Sequence, residues 1–172
     1  MASTTLISVE EYLRTNYEPD CDYVDGQTEE RNLGEYDHAA LQGELIFWFR
    51  QHRREWNIKA LPEQRVEISQ TRFRVPDVCL IPLDYPIEQI LTQPPLACIE
   101  ILSPEDRLSR LQEKTRDYQH FGVPNIWIVD PATERGFNCT AAGWLDVSVF
   151  QIPNTPIRLV LADIFAEIKR NS

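Results

Sequence analysis

Between residues 107 and 121 the apolar side chains Leu108, Leu111 and Tyr118 recur at helical spacing, whereas Leu96-Ala97-Cys98-Ile99-Glu100-Ile101-Leu102 is apolar at nearly every position. The first pattern predicts a helix with one buried stripe, and Gly122 supplies its C-terminal stop. The second predicts a central strand covered on both faces, interrupted by a single acid, Glu100. Residues 125–130 form another apolar strand, so strand, helix and strand make one right-handed crossover unit.

Upstream, Asp37 is expected to cap a helix over residues 38–54, with Leu41, Leu45, Trp48 and Phe49 as its apolar stripe. Glu44 falls on or beside that stripe, an expensive place for a carboxylate. Ser8-Val9-Glu10-Glu11 has the pattern of a capping box and opens a short helix through Leu13. Asp25-Gly26 is a favoured hairpin turn within residues 23–30. Strand-like runs follow at residues 65–69 and 73–81, and later at 135–140 and 144–150, before a closing helix over 161–168. No repeat and no linker interrupts this order. It predicts a single α/β domain over residues 1–172, of mixed α+β content.

Composition narrows the setting. The chain is 42% hydrophobic and 26% charged, an ordinary globular mixture. The first eleven residues lack a basic region and an apolar stretch, and no run approaches the ~20 apolar residues of a membrane span. A cytoplasmic protein with no membrane partner is expected. Seventeen basic residues against twenty-seven acidic ones give a net charge of −10. That balance argues against sequence-independent nucleic-acid binding by the whole surface, although a local basic patch can suffice. The four cysteines are scattered with no zinc-ligand spacing, and Cys79 and Cys98 sit in apolar runs as buried hydrophobes do.

The candidate chemistry lies in Pro76-Asp77, Glu100 and Lys114. Asp77 and Glu100 occupy two separate strand patterns, and if those strands are neighbours their carboxylates converge. Two carboxylates repel unless a cation lies between them, and hard oxygen ligands suit Mg²⁺ or Mn²⁺. Lys114 shares a helical stripe with Leu111 and Tyr118, so its ammonium is directed at the sheet, where it could stabilise charge developing on a phosphate. Read alone, Asp77 is equally a turn residue and Lys114 a snorkelling side chain, whereas an unpaired acid inside a buried strand is harder to dismiss. Glu44 is equally a surface ion-pair partner. His38 and His52 read as helix-surface or satisfied core histidines, and Glu105-Asp106 as a solvated turn.

The set Arg74-Val75-Pro76-Asp77, Ile99-Glu100-Ile101-Leu102-Ser103-Pro104, Lys114, Tyr118, Gly122-Val123-Pro124 and Trp127-Ile128-Val129-Asp130-Pro131, with Tyr23-Val24-Asp25-Gly26 and His38, resembles a large bacterial family of restriction-endonuclease-like proteins in the PD-(D/E)xK nuclease superfamily. The resemblance covers nearly the whole chain. It implies a restriction-endonuclease-like mixed sheet flanked by helices, with Asp77, Glu100 and the Ile101 carbonyl as metal ligands and Glu44 as an acid of the first core helix. It also implies Mg²⁺ or Mn²⁺ as cofactor, Lys114 as catalytic lysine and DNA as substrate. Two positions depart from the pattern: Leu102 stands where the superfamily lysine usually lies, and Arg110 stands where many relatives carry aspartate. Two functions compete. One is a Mg²⁺-dependent endonuclease, expected as a homodimer because cutting both strands needs two sites. The other is a binding or regulatory protein that keeps the fold without turnover, which the net charge of −10 favours.

Overall fold

The computed structural model describes residues 5–31 and 35–169. Ser8 caps α1 (Val9–Arg14), its side chain accepting from the Glu11 N–H at 3.1 Å. β1 (Asp22–Val24) and β2 (Gln27–Glu29) are joined by Asp25 and Gly26, both at positive φ as the mirrored two-residue hairpin turn demands. The expected long helix is α2 (Tyr36–Gln51), followed by the single turn α3 (Arg53–Trp56). It starts earlier than expected, so Asp37 lies in the first turn and Glu35 takes the cap position without a side-chain bond.

Next come β3 (Ile58–Pro62), which its short mixed sequence did not reveal, and the hairpin β4 (Val66–Ser69) and β5 (Arg72–Arg74). The expected strand over 73–81 is two strands, since β6 (Val78–Pro82) pairs in a different sheet from β5. Val75-Pro76-Asp77 makes the crossing, where a proline without an N–H costs no ladder bond. β7 (Ala97–Ile101), α4 (Leu108–Phe121) and β8 (Asn125–Asp130) are the crossover unit, and β7 and β8 pair in parallel. Gly122 closes α4 in the left-handed conformation.

β9 (Arg135–Thr140) and β10 (Gly143–Val147) form a hairpin. β11 (Val149–Gln151) turns away to pair with β12 (Arg158–Val160), so the run over 144–150 is also divided between sheets. The closing helix is α5 (Leu161–Lys169).

The central sheet has six strands in the order β10-β9-β8-β7-β6-β3, mixed because only β7 and β8 are parallel. A four-stranded sheet, β2-β1-β5-β4, lies apart from it. Strand alternation sorts the central side chains. Val78, Leu80, Ala97, Ile99, Ile101, Trp127 and Val129 pack with Leu41, Leu45, Phe49, Ile164 and Phe165 of α2 and α5. Cys98, Ile126 and Ile128 face the other way and pack with Leu111 and Tyr118 of α4. By the same two-residue period, Glu100 falls on the α4 side. No described helix is long and apolar enough to cross a membrane.

Candidate active site

The α4 side of β7 carries the acid that the apolar pattern singled out. Glu100 is 5% exposed, and two partners from α4 meet its carboxylate. The Tyr118 hydroxyl donates to Oε1 at 2.6 Å, and the Lys114 ammonium stands 3.0 Å from Oε2. Positions 111, 114 and 118 fall on one helical face, so a single stripe delivers both a packing residue and two polar heads. Lys114 also donates to the Val75 carbonyl at 2.9 Å and lies 3.5 Å from Asp22 Oδ2.

Asp77 lies on the connection just before β6, opposite the end of β7. Its Oδ2 accepts from the Ile101 N–H at 2.7 Å and has His38 Nε2 at 3.3 Å, while Arg31 donates to Oδ1. Gln42 holds the Asp77 main chain through its carbonyl at 2.9 Å. A strand residue's N–H and C=O leave on the same edge, so the Ile101 carbonyl also faces this corner. Continuing the Val78–Ile99 register sets Ile101 opposite Pro76, which has no N–H to offer it.

Asp77, Glu100, Ile101 and Lys114 thus line one open, polar cavity of about 170 Å³, with Arg31 and His38 on its wall. Glu105, Asp106, Arg107 and Arg110 frame its mouth. Glu44 does not line it. On α2 the buried face runs through Leu41, Leu45 and Phe49, and His38 and Gln42 extend that face toward Asp77. Glu44 is turned roughly 120° away from it at ~100° per residue. The acid expected from the first core helix is replaced at the site by a histidine and an amide.

The electrostatics of the two acids diverge. Burial pushes Asp77 up, but the His38 hydrogen bond and the Arg31 charge outweigh it and hold the carboxyl down at about 2. Burial also pushes Glu100 up; Lys114 opposes it, Asp77 adds to it, and the group settles at about 7. Burial pulls His38 down, yet its bond to Asp77 leaves it above its ordinary value. Lys114 likewise ends above its ordinary value, because Asp22 and Glu100 offset its burial. The corner therefore holds a firmly ionised acid beside one whose ionisation burial resists.

Beneath it, Arg74 is fully buried and donates to Asp117 at 2.7 Å, Glu29 at 2.8 Å and Asp22 at 3.1 Å. Asp22 also accepts from the Val75 N–H at 2.7 Å, so this lattice fixes the chain that leads into Asp77. Arg31, Asp22 and Asp117 escaped sequence reasoning because they lie in the irregular connection after β2, a short strand and a helix with no distinguishing spacing. Tyr118 was legible in an apolar stripe and among the residues of the family resemblance, neither of which gave it a role at the site.

The donor set fits a hard divalent cation in kind: two carboxylates and one carbonyl are all oxygens, and Mg²⁺ completes such sets with water. Among the described residues no cluster of three or more His, Cys, Asp or Glu side chains could hold a metal by itself.

A family model described as “Uma2: Putative restriction endonuclease” matches residues 9–167. A crystal structure of a “putative nuclease belonging to DUF820” from Anabaena variabilis superposes with a TM-score of 0.81 at 20% identity, covering 94% of this chain and 99% of that one. That likeness establishes the fold. A DrdV–DNA complex seen by cryo-electron microscopy aligns at a TM-score of 0.46 and 12% identity, covering 78% of this chain and 11% of that one. No curated protein matches.

Proposed function

The chain belongs to the Uma2 family, “Putative restriction endonuclease”, and from that membership we propose that it is a Mg²⁺- or Mn²⁺-dependent endonuclease hydrolysing phosphodiester bonds in DNA. The observation that carries this reading is the meeting of Asp77, Glu100 and Lys114. They come from a connection, a strand and a helix, and they share one cavity. Asp77, Glu100 and the Ile101 carbonyl are the groups that would hold the cation, which when bound lowers the pKa of water and neutralises phosphoryl charge.

The chain's own residues do the positioning. Tyr118 fixes one Glu100 oxygen and Lys114 the other, so the carboxylate presents a single orientation. Lys114, anchored on the Val75 carbonyl, carries a lasting positive charge into the cavity for the charge that develops as water bonds to phosphorus. One P–O ester bond breaks as the new one forms, and the proton given up by the attacking water is balanced by the one the departing oxygen takes. Arg107 at the mouth offers a cation to a phosphate backbone despite the net charge of −10. A two-fold homodimer in the cytoplasm, with two such cavities, would cut both strands in one encounter.

One observation favours the second reading, a nuclease fold that binds without turnover: each Asp77 oxygen already has a partner within the chain. A single assay separates the two. Wild type, Asp77→Asn and Lys114→Ala are incubated with single-stranded, duplex and supercoiled DNA in EDTA, Mg²⁺ and Mn²⁺. The endonuclease reading expects metal-dependent cleavage by wild type only. DNA binding by all three with no cleavage in any buffer supports the second.

A further inference from the structure

Arg31 is the side chain in this cavity that neither the helix stripe nor the strand pattern accounts for. It follows the β1–β2 hairpin, is 11% exposed, and places Nη2 on Asp77 Oδ1. Its other terminal nitrogen, Nη1, is buried and makes no hydrogen bond; Glu63 Oε1 lies 3.4 Å away, near enough for charge but unaligned. A buried guanidinium nitrogen left unsatisfied is unusual, since Arg normally meets carboxylates through two parallel bonds. Charge holds this side chain in place more than hydrogen-bond geometry does. The charge it answers is the convergence of Asp77, Glu100 and Asp22 in a corner poor in solvent.

Asp77 has two oxygens, and Oδ2 is committed to the Ile101 N–H and His38. Oδ1 is therefore the oxygen available to a cation, and the guanidinium occupies it. A divalent ion and a guanidinium on one carboxylate oxygen would stand at contact distance and repel each other, which is unfavourable in a partly buried site. We propose that Arg31 is a resident stand-in for the divalent cation: it neutralises Asp77 in the metal-free protein, and it must leave Oδ1 before the ion can bind. Glu63, 45% exposed beside Nη1, gives the departing guanidinium a partner nearer the solvent. The inference rests on the metal-dependent reading above, and it assigns Arg31 control of metal affinity.

The test is direct Mn²⁺ binding by titration calorimetry to wild type, Arg31→Gln, Arg110→Gln and Asp77→Asn. Arg31→Gln is expected to bind Mn²⁺ at least tenfold more tightly than wild type. Arg110→Gln removes a cation from the mouth without touching Asp77, and should change affinity less than threefold. Equal affinity of wild type and Arg31→Gln, with binding lost in Asp77→Asn, overturns the stand-in and leaves the metal reading intact. Equal gains in Arg31→Gln and Arg110→Gln also overturn it, because bulk charge would then be the cause. No Mn²⁺ binding by any of the four overturns the metal reading and the stand-in together. If Arg31→Gln does not fold, the wild type decides through its guanidinium ¹⁵N resonances. Mg²⁺ saturation should move the Arg31 signal out of slow solvent exchange, and an unchanged signal contradicts the proposal.

Discussion

The two faces of the central sheet solve burial in opposite ways. Toward α2 and α5, strands β6, β7 and β8 present aliphatic and aromatic side chains apart from Asn125 at the start of β8, whose amide donates to the Leu96 carbonyl, and Trp127 stacks on Phe150 with ring centroids 4.8 Å apart. Toward α4 the same strands begin apolar, with Cys98, Ile126 and Ile128, and then end on Glu100 beside Asp77. The dry face needs no directional partner, so it tolerates any close packing. The charged face needs a partner for every buried charge, and Arg31, Lys114 and Arg74 supply them. Stability is concentrated on one side and the capacity for chemistry on the other, one residue apart in the strand repeat.

The largest effect should come from the dry face. Trp127→Ala removes a side chain 1% exposed together with its stacking partner's contact, and should cost about 3–5 kcal/mol in denaturant unfolding. If the faces are separable, the Mn²⁺ affinity of the folded fraction should be unchanged; a parallel loss of affinity would break the comparison. On the charged face, Lys114→Ala should lower cleavage by about 10²-fold in single turnover at saturating metal. Equal cleavage by variant and wild type would exclude the lysine from the chemistry. Stability should change less there than for Trp127→Ala, because Glu100 keeps its proton more firmly once Lys114 is gone. Ser8→Ala belongs to neither face. It should cost about 1 kcal/mol through the lost α1 cap, with cleavage and metal affinity untouched.

The two faces were not equally legible in the sequence. The dry face was readable because period and burial coincide: Leu41, Leu45 and Phe49 repeat on a helix, and β7 and β8 are continuous apolar runs. On the charged face, Glu100 stood out as one acid in such a run and Lys114 through its place beside Leu111 and Tyr118. Asp77 was identified, but as a strand residue; the structure puts it on a crossing between sheets that Pro76 permits. Glu44 looked suitable on helical phase, yet the same phase brings His38 and Gln42 to Asp77 instead. Arg31, Asp22 and Asp117 were invisible, since ion partners are chosen by tertiary proximity and leave no periodic trace. The early departures of β5 and β11 from their runs had the same origin, because choice of sheet depends on partners distant in sequence.

The central claim is that the charged corner is held together for a cation, and Glu100 reports on it most directly. Its folded-state carboxyl lies near 7, above the ordinary value of 4.5 that the unfolded chain shows. The stability it contributes is therefore complete below about pH 4.5 and is lost as pH rises through about 7. Asp77, held near 2, has the opposite sign, and its contribution fades only as pH falls toward that value. Between pH 5 and 8 the raised Glu100 and His38 act in the same direction, so wild type in EDTA should lose stability across that window, and Glu100→Gln isolates the share that belongs to Glu100. Glu100→Gln cannot ionise and should match wild type at pH 5, yet exceed it by about 1 kcal/mol or more at pH 8. Saturating Mg²⁺ or Mn²⁺ should restore wild type at pH 8 and act far less on the variant. The measurement is thermal unfolding of both proteins at pH 5 and pH 8, in EDTA and in millimolar metal. A variant less stable than wild type at pH 8 in EDTA, with the same response to metal, would contradict the account and make Glu100 a structural partner of Lys114.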